Sequence, residues 1–453
     1  MNRAANMDLS INAFNNRRGG TYITLKEYGT LCKNPNGVSL GYHCMPELAF
    51  DRLERFVLEH KGPGHLTDAL ELMTLASRKG VGKTISAKNY VGVISMADGT
   101  QIEILPKVYA RDEESSIVQT KSIFLHMLKS IRDIPNKPFN MAGLGTANHH
   151  LLDIFIRMFI EEAVALVKHG LKSDYREHRD NEPFFKGKLQ FAQHIKHNAG
   201  HKERFFVEYD EYNMNRAENR LIKATIGLLM KVSRNTRNQK DLYALLTAFD
   251  NIDTSMQLEK DWASVTTDRT MKEYQAILAW CRLFLSGQSF TPFRGQSAAY
   301  ALLFPMDKIF ERYVAGLLKK GLGQSPVQVK TQDRTHRLFQ NPARFQLKPD
   351  IVVQGPGGVI VLDTKWKLLS PSPDYGISQA DMYQAYAYGK KYSASEVYLL
   401  YPWNPRLSDI TQPVVYDSGD GVQVRIEFLD LTLGKASVDT LLAKLSDTIG
   451  TKK

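Results

Sequence analysis

The chain has 453 residues, 43% hydrophobic and 24% charged, which excludes a disordered or fibrous protein and leaves room for two or three separately packed cores. A formal net charge of +11 and a pI near 9.2 favour an anionic partner such as nucleic acid, although charge alone does not name one. Three scattered cysteines, Cys32, Cys44 and Cys281, form no CxxC pair and, with no secretory leader, read as reduced thiols of a cytoplasmic protein.

Residues 1–20 are rich in Asn, Arg and Gly without periodicity and read as a flexible arm. An α+β domain is expected over 21–112, where Tyr90 to Ile94 and Thr100 to Leu105 are β-rich runs joined around Asp98-Gly99 as a hairpin. Helical periodicity dominates 113–294, a mainly helical middle domain, most clearly in 151–168, which ends at a basic turn and Gly170. The apolar run 151–167 is broken by Asp153, Arg157, Glu161 and Glu162, charges that a lipid-spanning helix would not tolerate, so no membrane partner is expected.

Within the middle domain, 182–212 interleaves Phe184, Phe185, Phe191, Phe205 and Phe206 with Lys186, Lys188, Lys196 and Arg204. Cations for phosphates beside aromatics for bases make a candidate nucleic-acid or partner contact. The same pattern also fits two strands with Phe toward a core and Lys toward water. From 295 to 453 the order is helix, strands, helix, strand and a final amphipathic helix, a compact α/β domain. The fold class is therefore multidomain, α+β and α/β.

Gly82-Lys83-Thr84 imitates the end of a phosphate-binding loop, but Ser77 stands where the first glycine belongs and a β-hairpin follows where phosphates need a helix N-terminus. No nucleotide is expected on this chain. The stronger signal is Phe345 to Val353, then Gln354 to Gly358, then Val359 to Lys365: two apolar runs around a glycine-proline turn, hence a buried hairpin. Buried strands exclude unpaired charge, so Asp350, Asp363 and Lys365 need a chemical reason.

Asp363 and Lys365 are two apart and share a strand face. A register or a bulge that brings Asp350 to that face would let both carboxylates hold one hard cation, Mg2+ or Mn2+, with Lys365 orienting water or stabilising developing negative charge. An isolated DxK is more often a structural pair. Here Glu311 on an amphipathic helix could add a third acid, although it is equally an ordinary surface residue, and Asp381, Gln384 and Tyr388 fall on one later helix face.

Pro349-Asp350, Asp363-Thr-Lys365 and Gln384-x-x-x-Tyr388 resemble the PD-(D/E)xK nucleases of the RecB-like branch. With Ile102-Glu-Ile-Leu-Pro-Lys107, Phe185-Lys-Gly-Lys-Leu189, Tyr209-Asp-Glu-Tyr212, Asn219-Arg220 and Phe310 to Val314, the chain looks like McrC, the nuclease subunit of McrBC modification-dependent restriction systems. The resemblance implies a restriction-endonuclease-like core with a mixed central sheet. It also implies catalytic roles for Asp350, Asp363, Lys365, Gln384 and Tyr388, metal binding by Asp350, Asp363 and Glu311, and cleavage of methylated double-stranded DNA. The implied partner is an McrB-like AAA+ GTPase hexamer whose hydrolysis the chain stimulates. Two other readings are a stand-alone RecB-like repair nuclease and a non-catalytic adaptor that only stimulates an NTPase.

Overall fold

The computed structural model describes residues 21–59, 72–96, 99–108, 116–128, 150–266, 268–285, 298–322, 326–394, 396–408 and 414–450. The 1–20 arm, Asp98 of the expected turn and the expected domain boundaries near 112 and 294 lie outside them. The chain is a mixed α/β, multidomain protein that divides into two compact units, residues 152–288 and the combination of 1–151 with 289–453.

The first segment runs β1 (Tyr22–Lys26), β2 (Thr30–Cys32), β3 (His43–Cys44), α1 (Glu47–Glu59), β4 (Met73–Arg78), β5 (Gly82–Ala87), β6 (Tyr90–Met96), β7 (Gln101–Leu105) and α2 (Ser116–Leu128). β6 and β7 pair antiparallel, as the two β-rich runs predict. β1 joins β7 in parallel.

The middle unit contains α3 (Leu151–His169), β8 (Asp174–Glu182), β9 (Lys188–Leu189), α4 (Phe191–Asn198), β10 (Phe205–Asn213), α5 (Ala217–Val232), α6 (Thr236–Ala248), α7 (Leu258–Ala263) and α8 (Lys272–Leu285). The apolar face of α3 is core: Phe155 and Phe159 meet Trp280 and Phe284 of α8, and Arg157 pairs with Asp241 at 2.6 Å. Among the described residues no helix is long and apolar enough to cross a membrane.

Strands do form in the aromatic patch, with β8 and β10 antiparallel along their length, but Phe184 and Phe185 lie in the loop after β8 and Phe191 opens α4, and none of the three enters a core. Phe184, Phe185 and Phe191 are 76%, 60% and 70% exposed. The ribbon has α4 against β10 rather than a second sheet. That helix shields only Phe205 and Phe206, which stack on His194 and His197.

The last segment runs β11 (Ala298–Pro305), α9 (Met306–Leu322), β12 (Gln328–Thr331), β13 (Arg337–Gln340), β14 (Ala343–Gln346), β15 (Ile351–Gly355), β16 (Gly358–Thr364), α10 (Gln379–Tyr392), β17 (Glu396–Pro402), β18 (Val414–Asp417), β19 (Gln423–Leu429) and α11 (Lys435–Thr448). β11 pairs with β6 and completes the sheet β1-β7-β6-β11. Ala301 and Leu303 therefore pack into the same core as Leu25, Phe50, Ile94 and Ile104. This is why the first and last segments, read separately in the sequence, share one unit: strand periodicity is visible locally, but a pairing across some two hundred residues is not.

The other sheet is mixed, ordered β12-β15-β16-β17-β19-β18. β15–β16 is an antiparallel hairpin, and β16, β17 and β19 are parallel. Val352, Val361, Val397, Leu399, Val424 and Ile426 form a core with Ala385, Tyr388 and Tyr392 of α10, leaving Ile351, Val353, Ile360 and Leu362 on the other face. α9 packs with α11 and touches β12 and β16. Gly389 lets α10 lie close to the sheet, since a Cβ there would stand 2.4 Å from Val422 Cγ1.

Candidate functional site

The hairpin register runs from Ile351↔Leu362 to Gly355↔Gly358. One step beyond Ile351 it sets Asp350 opposite Asp363 without a bulge. Both carboxylates thus project to the face that α10 covers, together with Lys365 two residues on. The ladder continues past Thr364, because Lys365 N–H donates to Leu400 O at 2.8 Å. Lys365 is therefore held by backbone bonding at the sheet's rim.

Asp350 is held at both oxygens. Oδ2 accepts from the Thr364 backbone N–H at 2.8 Å and its hydroxyl at 2.7 Å, while Oδ1 accepts from Gln332 Nε2 at 3.2 Å. Asp363 is only 3% exposed, and its Oδ2 lies 2.7 Å from Lys365 Nζ. That oxygen has no donor in hydrogen-bond geometry among the described residues.

Lys365 Nζ also donates to Gln384 Oε1 at 2.8 Å and lies 3.5 Å from Asp381 Oδ1. Gln384 Nε2 in turn donates to Tyr388 Oη at 2.8 Å. Helix α10 places these three residues on one face. It starts where Ser378 Oγ accepts from Asp381 N–H at 3.2 Å, an N-cap of the usual kind. Asp381 is further fixed by Lys367 Nζ at 2.6 Å. The structure thus brings Asp350, Asp363, Lys365, Gln384 and Tyr388 together.

Glu311 reaches the same place from α9. It is 7% exposed, pairs with Lys308 at 3.3 Å, and accepts a hydrogen bond from Gln332 Nε2. One amide group therefore bridges Glu311 and Asp350. Gln332 sits just past β12 with φ +53, a left-handed conformation uncommon for a non-glycine residue. Its backbone N–H donates to Asp350 O at 2.9 Å. Nothing in the sequence marks this residue.

Burial, then the Asp350 charge, push the Asp363 carboxyl up to about 6. Burial and Asp350 likewise raise Glu311 above the usual carboxylate range. Burial works against the Lys365 charge, but Asp363, Asp381 and Asp350 outweigh it and hold the lysine above its ordinary value. Lys365 is therefore a cation at neutral pH, suited to stabilising negative charge rather than to removing a proton.

Carboxylates forced together in a low dielectric, one oxygen lacking a hydrogen-bond donor, suit a small hard cation. Mg2+ takes one or two protein carboxylates and keeps water or phosphate in its other positions. The Asp350–Asp363 pair fits that demand. Among the described residues no three His, Cys, Asp or Glu side chains cluster closely enough to hold an ion as they stand, and the Gln332 amide bonds both Glu311 and Asp350.

The remaining candidates lie elsewhere. Lys186, Lys188, Lys196 and Arg204 are in the middle unit, where Lys186 pairs with Glu182 at 3.4 Å and lies over the Tyr209 ring, and Arg204 donates to Asn181 O at 3.1 Å. Lys83 and Thr84 lie inside strand β5, with Lys83 paired to Glu54 at 2.7 Å. Three residues around the site were not read from the sequence in this role. Trp366, next after Lys365, donates its indole N–H to Glu27, and Lys107 Nζ donates to Trp366 O at 2.9 Å.

Residues 85–402 match the family described as McrBC 5-methylcytosine restriction system component. The chain is 22% identical over 230 residues to the Escherichia coli (strain K12) protein named Type IV methyl-directed restriction enzyme EcoKMcrBC, a match covering 48% of this chain and 65% of that protein. The chain thus spans somewhat under two thirds of the length of the curated relative it matches. A solved structure, the refined half-complex from a tetradecameric assembly of Thermococcus gammatolerans McrB AAA+ hexamers with bound McrC, aligns with a TM-score of 0.69 at 19% identity, covering 93% of this chain and 100% of that one. At that identity the likeness is one of fold. The family match, by contrast, extends over well more than half of the sequence, and the chain belongs to the McrBC 5-methylcytosine restriction system component family.

Proposed function

We propose that this chain is the metal-dependent endodeoxyribonuclease of an McrBC-like restriction system, with a PD-(D/E)xK site in a restriction-endonuclease-like core. It hydrolyses phosphodiester bonds of methylcytosine-containing duplex DNA in the cytoplasm, together with an McrB-like AAA+ GTPase hexamer that it stimulates. The single observation behind the chemistry is the meeting of Asp350, Asp363 and Lys365 at the rim of a buried sheet, with Lys365 oriented by Gln384. Substrate and partner rest on the family description and on the named relatives.

Asp350 and Asp363 would hold Mg2+ or Mn2+, and such an ion would supply Lewis-acid activation of the scissile phosphate and of an attacking water. Thr364 fixes the rotamer of Asp350 through two donors, so that carboxylate needs little reorganisation when an ion arrives. Lys365, kept protonated by its acidic neighbours, would offset negative charge developing on a phosphate brought to the same face. Gln384 and Tyr388 hold the lysine in that pose.

The test is cleavage of methylated and unmethylated plasmid with Mg2+ and GTP, with the chain alone and with its AAA+ partner, comparing wild type with Asp363→Ala. Cutting only by wild type with partner, GTP and methylation is the expected result. Cutting by the chain alone without GTP would replace this reading with the stand-alone repair nuclease. Stimulated GTP hydrolysis with no cutting under any condition would leave the adaptor.

A further inference from the structure

Between β12 and β15 the chain leaves the mixed sheet to form a separate hairpin, β13–β14, with Phe339 across from Arg344 and Arg337 across from Gln346. An isolated two-stranded hairpin is marginal in water, and this one is anchored at its base. Leu347 N–H donates to His336 O at 2.9 Å, Gln346 Nε2 donates to Arg334 O at 2.8 Å, and the His336 ring stands edge-on to Tyr392 at 4.4 Å. The Tyr392 hydroxyl donates to Asp333 Oδ1 at 3.1 Å. Tyr392 belongs to α10, the helix that carries Gln384 and Tyr388, and β14 leads within four residues to Asp350.

The hairpin beyond that base faces solvent. Phe339 and Phe345 are 55% and 72% exposed, and their rings meet edge-on at 5.9 Å. Phe345 has φ +57, a strained conformation for a bulky side chain. No core contact accounts for two exposed aromatics and a strained backbone in the same place. The segment 334–348 carries Arg334, Arg337, Arg344 and Lys348 and no acidic residue. Arg337, Arg344 and Lys348 are exposed and make no ion pair among the described residues.

We propose that the β13–β14 hairpin is a duplex-DNA contact that seats the scissile phosphate at Asp350 and Asp363. Arg337, Arg344 and Lys348 meet backbone phosphates, and the Phe339–Phe345 pair packs against sugars and base edges in a groove. Unpaired cations supply the attraction, the aromatic pair supplies apolar contact, and the anchored base transmits position to Asp350, five residues after Phe345. This rests on the nuclease reading above.

The experiment uses the full chain with its AAA+ partner. Duplex binding is read by fluorescence anisotropy in an Asp363→Asn background, so that affinity is measured without cutting, and cleavage and GTPase stimulation are read in the otherwise wild-type chain. Arg337→Ala with Arg344→Ala is expected to weaken binding roughly 10-fold or more and to reduce the log-log salt slope by about 2. Phe339→Ala with Phe345→Ala is expected to lower cleavage with GTPase stimulation unchanged. Unchanged affinity and cleavage in both variants, while wild type cuts, overturns the hairpin proposal alone. Lost GTPase stimulation with unchanged DNA affinity makes the hairpin a protein contact and also overturns it. A wild type that neither cuts nor binds DNA removes the nuclease reading, and this proposal with it.

Discussion

The indole N–H of Trp366 donates to both carboxylate oxygens of Glu27, at 3.0 and 2.9 Å, across 339 positions of sequence. Glu27 also accepts from the backbone N–H of Lys107 at 2.9 Å, and Lys107 Nζ closes the ring by donating to Trp366 O at 2.9 Å. The residue that follows Lys365 is thus fixed by the first sheet of the chain.

Lys107→Met keeps most of the buried stem and removes the bond to the Trp366 carbonyl. Supporting groups one shell from a reactive residue typically change activity 10- to 100-fold. We expect Lys107→Met to cut DNA roughly 10-fold more slowly with duplex affinity unchanged, read by single-turnover cleavage beside binding in an Asp363→Asn background. A lower melting temperature with an unaltered single-turnover rate would make the ring purely structural.

The same ring carries a pH dependence. Burial pushes the Glu27 carboxyl up to about 7, despite Lys107 and the Trp366 donor, which favour the charged form. In the unfolded chain the group ionises near 4.5, so the folded state holds the proton more tightly. The stability linked to Glu27 is fully present below pH 4.5 and is lost as pH rises toward 7, by about 3 kcal/mol at roughly 1.4 kcal/mol per unit. Glu27→Gln has no proton to lose. Its unfolding free energy, measured in denaturant at pH 5 and pH 7.5, should change less than that of wild type, and parallel curves would contradict the assignment.

The chemical core of the site was legible because its logic is local. A period of two places Asp363 and Lys365 on one face, and a spacing of four aligns Gln384 with Tyr388, whatever the rest of the chain does. Glu311 was visible only as an amphipathic helix residue, and its tie to Asp350 depends on Gln332, a residue that acts through a left-handed loop conformation. The Glu27–Trp366 bond and the place of β11 are long-range pairings that no window of sequence contains. The strand reading of the aromatic patch holds at Phe205 and Phe206 of β10, whereas Phe184 and Phe185 fall in the loop after β8 and Phe191 opens α4; alternation does not show where a strand stops or whether anything packs on it.

Asp363 also separates function from stability. Its carboxylate is buried and repelled by Asp350, with Lys365 as its close ion-pair partner. Asp363→Asn keeps the shape and removes the buried charge, while Lys365 retains Gln384 and Asp381. The metal-free melting temperature should hold or rise, by about 2–4 °C for each kcal/mol recovered. Cleavage should fall by about a thousandfold or more. A fall of several degrees together with lost cleavage would instead favour a structural ion pair at this strand end.

Gln332 yields the last expectation, because its amide occupies the position between Glu311 and Asp350 that a cation would contest. A ligand that binds only the folded state stabilises it by about 2.7 kcal/mol at a hundredfold excess over Kd. Mg2+ should therefore raise the melting temperature of the wild type and not that of Asp350→Asn. Gln332→Ala removes the donor that Glu311 and Asp350 share and leaves each with one partner residue, Lys308 and Thr364, so the metal-free protein should melt lower than wild type. The ion then relieves more repulsion and meets no competitor, so the Mg2+-induced rise should be larger than in wild type. A smaller rise in Gln332→Ala would show that the amide supports the ion rather than standing in for it.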